Sequence, residues 1–238
     1  MNRFINLLRS DWIKLRRTYF FPVHIAVPLI YTVLFLIYQS IKTENYANQL
    51  TLFLQLMSLG FPIIIVIVCQ IVMQQEYEAG GGFFMMFTSS RVQTILSKLF
   101  YLICFGCLAV TLTTFAYLLI RLKNILDVKF VVQLLIVICL CFSIQYVYHL
   151  IFTLYLNSAV HFAMAMFEGL ISALFLTSLG DGLWYFFPAS WTPRIIPLMR
   201  YDHLYLKLIC LLTIILLLLI FLLSFVISWW HGSKLVRD

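Results

Sequence analysis

Charged side chains are scarce in this sequence. Only 9 of its 238 residues are Asp or Glu, and charged residues of both signs make up 11% of the chain, whereas 63% is hydrophobic. A soluble domain carries about 25% charged residues, because its surface must be hydrated. Together with the mean hydropathy of +1.02, this composition excludes a soluble globular protein and indicates an integral membrane protein.

Motifs for nucleotide hydrolysis, zinc-dependent proteolysis and serine hydrolysis are also missing. The triple glycine at 80–82 lacks the lysine and hydroxyl residue that follow in a phosphate-binding loop. The five histidines are scattered without metal-ligand spacing, and the six cysteines lie in apolar runs, where cysteine packs as a small apolar side chain. We therefore expect no catalytic residue, no metal and no cofactor on this chain.

Apolar runs of membrane-spanning length occur six times. About 20 residues of helix cross a hydrocarbon core, and each run has this length or slightly more. The predicted spans are Tyr19–Tyr38, Leu50–Met73, Leu99–Ile120, Phe130–Leu154, His161–Leu179 and Tyr205–Trp230. They predict an all-α polytopic membrane protein with six transmembrane helices in one domain, residues 19–238, and leave no segment long enough for a second, soluble domain.

Residues 1–18 precede the first span and mix apolar with basic side chains. The apolar residues recur every three or four positions between the charged ones, at Phe4, Leu7, Leu8, Trp12 and Leu15. This spacing predicts an amphipathic helix in the membrane interface, with Trp12 as an anchor. The basic residues predict that both termini lie in the cytoplasm. Anionic lipid headgroups account for this positive charge, so we expect no binding to nucleic acid. No small-residue cleavage site follows, so we expect no cleaved signal peptide.

Two features interrupt the apolar pattern of the second half of the chain. The segment Gly180–His203 contains three prolines and two tryptophans, Trp184 and Trp191. It predicts a re-entrant or interfacial hairpin on the outer side, between spans five and six. Glu168 lies well inside the fifth predicted span. A carboxylate is costly there, so we take a functional role as the first hypothesis for it. We expect Glu168, Trp184 and Trp191 to line a substrate pathway; the alternative for Glu168 is a carboxylate that is merely satisfied by neighbouring helices.

The longest polar interruption is QQEYEAGGGFFMMFTSSRVQTILSK, residues 74–98, between spans two and three. Acids and glycines precede large apolar side chains, which predicts a glycine bend and a short cytoplasmic helix from about Gly82 to Ile95. An exposed apolar helix is a docking element for another protein; an anchor in the membrane interface is the alternative. The predicted docking residues are Glu76, Glu78, Gly80, Gly81, Gly82, Phe83, Phe84, Met86, Phe87 and Arg91.

This loop resembles the coupling loop in the permeases of type-2 ABC exporters. Residues 76–80, E-Y-E-A-G, match the acidic bend of that class, and residues 82–94 match its coupling helix. Ser97 and Lys98 match the exit into the next span. The resemblance implies that a separate cytoplasmic ATPase dimer, which binds ATP and Mg²⁺, drives this chain together with a second permease subunit, related or identical.

Within this class, the length and the E-Y-E-A-G…S-K pattern are most similar to lantibiotic protection permeases of the nisin and mutacin type. That resemblance implies a bacterial cell membrane and the export of an antimicrobial peptide for self-protection. The FFMMF run departs from the more polar coupling helix that is frequent in the family.

Three alternatives stay open. One is an exporter of a drug or a lipid-linked glycan with the same architecture. Another is a membrane-embedded enzyme that uses Glu168, His149 and His161. For that enzyme, His161 and Glu168 lie about 10 Å apart along one helix, which is too far for a shared metal. The third is an accessory subunit without a transport path.

Overall fold

The computed structural model describes residues 2–41, 46–78, 91–121, 128–199 and 205–229. All regular elements within these ranges are helical. In chain order the α-helices are α1 Asn2–Leu15, α2 Phe20–Ile41, α3 Tyr46–Glu78, α4 Arg91–Arg121, α5 Val128–Tyr155, α6 Ser158–Leu174, α7 Pro188–Leu198 and α8 Tyr205–Trp229. Between α6 and α7 lie two 3-10 turns, Ser178–Gly180 and Trp184–Phe186.

Five helices of the described ranges are long and apolar enough to cross a membrane, namely α2, α3, α4, α5 and α8. The prediction of an all-helical, multi-pass membrane protein is therefore confirmed. The fifth predicted span, His161–Leu179, corresponds to α6, an apolar helix of 17 residues. At 1.5 Å per residue α6 is about 26 Å long, slightly less than the ~30 Å of a hydrocarbon core.

The beginning of α6 is set by a side-chain cap. The Asn157 side chain accepts a hydrogen bond from the backbone amide of Val160 at 2.8 Å, which satisfies one of the donors that a helix start leaves unpaired. The helix therefore begins at Ser158, three residues before the predicted span.

The end of α6 is set by a residue of α7. The guanidinium of Arg194 donates from Nε to the carbonyl oxygen of Phe175 and from Nη2 to that of Thr177, the latter at 2.6 Å. These carbonyls follow the last helical residue, Leu174, and Arg194 supplies the donors that the ending helix no longer provides. The predicted continuation of this span to Leu179 is wrong for that reason.

Helices α3 and α5 form the centre of the bundle. More than half of the most apolar stretch of each is buried, whereas α8 is mostly exposed apolar surface. α3 packs against α2, α5, α6 and α7, and α5 packs against α4, α7 and α8. Their mutual contact includes Phe61 of α3 stacked on Phe142 of α5, with ring centroids 3.6 Å apart. The outer helices expose large apolar side chains, as helices in contact with lipid do.

The predicted N-terminal amphipathic helix is present as α1 and packs on α2 and α4. The ring of Trp12 lies 5.1 Å from that of Phe21 and 6.2 Å from that of Phe105, between centroids. The Tyr101 hydroxyl donates to the carbonyl oxygen of Leu8 at 2.9 Å. We call this end of the bundle, where α1 contacts the beginning of α4, the α1 end.

Of the segment predicted as a hairpin, residues 180–199 are described, and they fold back onto the opposite end of the bundle with α7 as their helix. α7 begins at Pro188. Proline is favoured at the first position of a helix, because the backbone N–H there has no partner within the helix. The Gln55 side chain of α3 donates to the carbonyl oxygen of Pro193 at 2.9 Å. Gln55 and Glu76 are about 30 Å apart along α3, so this is the far end of the bundle, which we call the α7 end. Residues 200–204 lie outside the described ranges.

Gly106 of α4 lets the ring of Tyr146 of α5 lie directly against the α4 backbone. A Cβ atom at Gly106 would come within 2.4 Å of a Tyr146 ring carbon, and Tyr146 is itself 1% exposed. We expect Gly106→Ala to lower the free energy of unfolding by about 1–3 kcal/mol, the usual cost of overpacking a core. The apparent melting temperature of the detergent-solubilised protein measures this.

Gly60→Ala is the matched control for Gly106→Ala. A Cβ atom at Gly60 of α3 meets nothing within 4 Å, and alanine is the better helix former. We expect this variant to melt at or slightly above the temperature of the wild type. Equal destabilisation by the two substitutions would contradict the close contact at Gly106.

Candidate functional site

A cluster of buried charges lies at the α1 end, where α1, α3 and α4 meet. At its centre, Nζ of Lys98 lies 3.0 Å from Oδ1 of Asp11 and 2.7 Å from Oε1 of Glu76. Lys14 reaches the same Glu76 oxygen at 2.7 Å. The Ser97 hydroxyl donates to Oδ2 of Asp11. We call these five residues the buried ion cluster.

The buried ion cluster is nearly closed to solvent. The side chains of Asp11, Glu76 and Lys98 are 5%, 2% and 3% exposed, and that of Lys14 is 34% exposed. Its two carboxylates and two ammonium groups balance in formal charge. An unpaired ion in such surroundings costs several kcal/mol of desolvation, so each charge depends on its partners. The cluster consequently holds α1, α3 and α4 in one geometry.

Residues of the buried ion cluster lie on both sides of residues 79–90 in the sequence. Glu76 lies at the end of α3 and Lys98 in the second turn of α4, and their ion pair closes the connection between the two helices. Glu78 takes no part, because its Oε1 accepts from the Gln74 side chain at 2.6 Å on the exposed surface. Of the docking residues with a described structure, the structure thus brings Glu76 alone into the cluster.

Most of the predicted docking residues lie outside the described ranges, namely Gly80, Gly81, Gly82, Phe83, Phe84, Met86 and Phe87. Arg91 is described and is the first residue of α4. The sequence predicts that residues 91–94 end a separate coupling helix, and the structure corrects this. They form the first turn of α4, which runs unbroken to Arg121, because residues 91–105 contain neither glycine nor proline to interrupt it.

A second polar arrangement lies inside the bundle, between α3, α5 and α6. Nδ1 of His149 is 3.0 Å from Nε2 of His161, and Nε2 of His149 is 3.1 Å from Oε2 of Glu168. The Tyr148 hydroxyl donates to the same Glu168 oxygen at 3.0 Å. On the α3 side, Nε2 of Gln70 is 3.0 Å from Nδ1 of His161. We call this series, together with Ser158, the polar chain.

The hydrogen bonds of the polar chain run in one direction. Ser158 donates to Oε1 of Gln70 at 3.0 Å, which turns the amide nitrogen of Gln70 toward Nδ1 of His161. Nδ1 then accepts, so the proton of neutral His161 is assigned to Nε2 and is donated to Nδ1 of His149. By the same reasoning the proton of His149 is on Nε2, which faces Glu168. That last contact is a close approach without the alignment of a hydrogen bond.

The polar chain changes the sequence-based view of Glu168. His161 and Glu168 are indeed too far apart for direct contact, but His149 of the neighbouring helix lies between them. Within the described ranges no group of three His, Cys, Asp or Glu side chains converges on a possible metal position. Sequence analysis missed Gln70 and Tyr148, because a single polar residue in an apolar run does not show which helix it faces.

Trp184 and Trp191 lie in the hairpin at the α7 end. Nε1 of Trp191 donates to the carbonyl oxygen of Tyr185 at 2.9 Å, and the Trp184 and Tyr185 rings are 4.1 Å apart between centroids. These contacts stay within the hairpin, so the structure does not join the tryptophans to Glu168. A pathway lined by all three stays a prediction.

No known protein family, curated protein or solved structure matches this chain. Its function is therefore inferred from the geometry of the chain itself, and first from the buried ion cluster.

Proposed function

We propose that this chain is the membrane-spanning permease subunit of an ATP-driven ABC exporter in a bacterial cell membrane, with both termini in the cytoplasm. The observation that carries the proposal is the buried ion cluster. It links α1 to the two helix ends that flank residues 79–90. A partner that pushes on this loop needs such a link, because the displacement of an unattached loop would not reach the membrane helices.

In this proposal a cytoplasmic ATPase dimer binds ATP and Mg²⁺, closes, and displaces residues 79–90. Lys98 passes the displacement to Asp11 and Glu76, with which it shares the buried ion cluster. The continuous helix α4, 31 residues and about 46 Å long, carries it across the membrane, and α2 follows because it packs on α4. The driving force is the difference in ATPase contacts between the two states.

The proposed substrate is a lantibiotic or a similar amphipathic antimicrobial peptide that is taken from the bilayer. The hairpin at the α7 end supports this choice, because Tyr185 and Phe186 are 59% and 77% exposed and aromatic side chains favour the depth of the lipid headgroups. A second permease subunit, identical or related, would complete the pathway. Export of a drug or a lipid-linked glycan by the same architecture is the alternative.

The test of the proposal is association with an ABC ATPase. The tagged wild-type chain, purified from native membranes in mild detergent, is expected to retain such an ATPase and its ATP hydrolysis. Phe83→Asp combined with Phe87→Asp is expected to lose at least ~90% of both, because apolar anchors dominate docking surfaces.

The matched control adds the same two charges at the α1 end. Ser10→Asp combined with Gln93→Asp places them at exposed positions of α1 and α4, and this variant is expected to keep the ATPase. Absence of an ATPase from the wild-type preparation, or equal retention by the Phe83 and Phe87 variant, would overturn the proposal.

A further inference from the structure

The polar chain places three ionisable groups in series inside the bundle. His161 and His149 are 0% exposed, and the Glu168 side chain is 17% exposed. Their successive contacts measure 3.0 and 3.1 Å. The first is a hydrogen bond, and the second is a close approach that a rotation of the His149 or Glu168 side chain aligns for proton transfer. A carboxylate at this depth of a membrane protein is costly unless a partner offsets its charge. Apolar packing does not account for two buried histidines that contact each other and this carboxylate.

We propose that His161, His149 and Glu168 form a proton relay that delivers a proton from the α1 end of the bundle to Glu168. The ligand of this site is the proton, and the carboxylate of Glu168 is its acceptor. The proposed ATP-driven export does not require this relay, so the two proposals stand or fall separately.

Each proton in the relay moves along a contact of the structure. An incoming proton binds Nδ1 of His161, after the Gln70 amide that occupies this position has turned away. The proton on Nε2 of His161 then moves to Nδ1 of His149. Once the His149 and Glu168 side chains rotate into alignment, the proton on Nε2 of His149 moves to Oε2 of Glu168. One proton has entered, Glu168 is neutral, and both imidazoles are neutral with their protons on Nδ1.

The relay begins near the surface of the α1 end and finishes in the bundle interior. His161 lies in the first turn of α6, next to the exposed Ser158, and Glu168 lies about 10 Å deeper along the same helix. The side chains beside Glu168 on α6 are apolar and face outward, with Phe167 60% exposed and Leu170 68% exposed. Glu168 therefore borders apolar side chains, and the relay is the polar route that the described residues offer a proton from the α1 end.

The relay is also framed by the elements packed against it. α3 presents Gln70 to it, and α5 presents Tyr148 and Thr153. Of these three side chains only Tyr148 can titrate, and its hydroxyl donates to Glu168. The charged groups of α3 at this end are Glu76 and Glu78, which lie about 9 and 12 Å farther along that helix. Glu76 is paired with Lys14 and Lys98 in the buried ion cluster, and Glu78 accepts from the Gln74 side chain.

Dicyclohexylcarbodiimide provides the test, because it partitions into lipid and reacts with a carboxyl group only in its protonated form. Right-side-out and inverted membrane vesicles are labelled with one compartment acidic and the other alkaline, and the Glu168 peptide is quantified by mass spectrometry. We expect labelling to follow the compartment that faces the α1 end. It should increase up to about tenfold for each unit by which the pH of that compartment is lowered.

Three variants identify the path. Glu168→Gln is expected to abolish labelling of that peptide. His161→Gln keeps an amide near the position of Nε2 but cannot exchange protons as an imidazole does, so labelling should lose its dependence on the α1-side pH. His24→Gln is the matched control: His24 is a buried histidine of α2 that contacts the carbonyl oxygen of Phe20 at 2.8 Å and lies outside the relay. It should label as the wild type does.

Size-exclusion elution of each variant shows that it is folded, and the wild-type gradient experiment stands without any variant. Wild-type labelling that is absent, indifferent to the gradient, or set by the compartment at the α7 end overturns the relay. So does a folded His161→Gln variant that labels as the wild type does. These measurements need no ATPase, so their failure leaves the exporter proposal intact.

Discussion

Lys98→Met is expected to be the most destabilising single substitution among those considered for this chain. Methionine has a similar length but leaves Asp11 and Glu76 buried without the ammonium group that both contact. Removal of one partner from a buried ion pair costs about 3–5 kcal/mol, a large part of the 5–15 kcal/mol that stabilises a typical domain. We expect little monodisperse protein after detergent extraction, and an apparent melting temperature well below that of the wild type.

The effect depends on burial, so Lys14→Met is the appropriate comparison. Lys14 contacts the same Glu76 oxygen, but its side chain is 34% exposed, and ion pairs open to water contribute about 1 kcal/mol or less. We expect Lys14→Met to remain close to the wild type in yield and melting temperature. Equal losses in the two variants would show that burial of Lys98 does not set the energetics of the cluster.

A triple variant separates stability from function. Lys98→Met combined with Asp11→Asn and Glu76→Gln removes the buried charges together, and such neutral replacements are often tolerated. We expect this chain to accumulate far better than Lys98→Met alone. Under the proposed function it should still bind the ATPase but export poorly, because the buried ion cluster no longer joins α1 to α4. A triple variant as unstable as the single one would contradict the charge-based explanation.

Arg194→Met is expected to have the second-largest effect, at the α7 end. Arg194 donates to the carbonyl oxygens of Phe175 and Thr177 and pairs with Asp181 at 3.0 Å. Hydrogen bonds from a charged donor contribute about 1.5–3 kcal/mol each, so we expect a loss of about 2–4 kcal/mol. The segment that ends α6 should also lose protection. Hydrogen–deuterium exchange of the amides of residues 175–187, together with the melting temperature, measures both effects.

Two substitutions show which contact of Arg194 matters. Asp181→Asn removes only the ion pair, and because the Asp181 side chain is 67% exposed, we expect a change below about 1 kcal/mol. Arg194→Lys keeps the charge but not the two-pronged geometry, so it should fall between the wild type and Arg194→Met. If Asp181→Asn exposed residues 175–187 as much as Arg194→Met did, the carbonyl contacts would not be what holds the hairpin.

The spans were predictable because their signal is local. A run of about 20 apolar residues identifies a membrane helix wherever the rest of the chain lies, and the amphipathic spacing of α1 is equally local. The boundaries were less accurate where a distant residue sets them. α6 begins at its own cap, Asn157, but it ends where Arg194 of α7 binds the carbonyl oxygens of Phe175 and Thr177, just beyond its last residue.

The candidate sites divide in the same way. Glu76 and Glu168 could be singled out because a carboxylate is conspicuous in so apolar a sequence. Their partners could not be assigned: Lys98 is 22 positions from Glu76 and 87 from Asp11. Asp11 stands among the charged residues of α1, and nothing in their spacing shows that its side chain is buried, at 4% exposed.

The sequence by itself determined that this is a helical, multi-pass membrane protein with an amphipathic N-terminal helix and few buried charges. Only the tertiary structure decided that those charges meet as the buried ion cluster and that His149 bridges His161 to Glu168. The physical reason is that α4 and α5 are apolar around most of their circumference. Their sequences state how long each helix is but not how it is rotated, and that rotation decides which polar side chains meet.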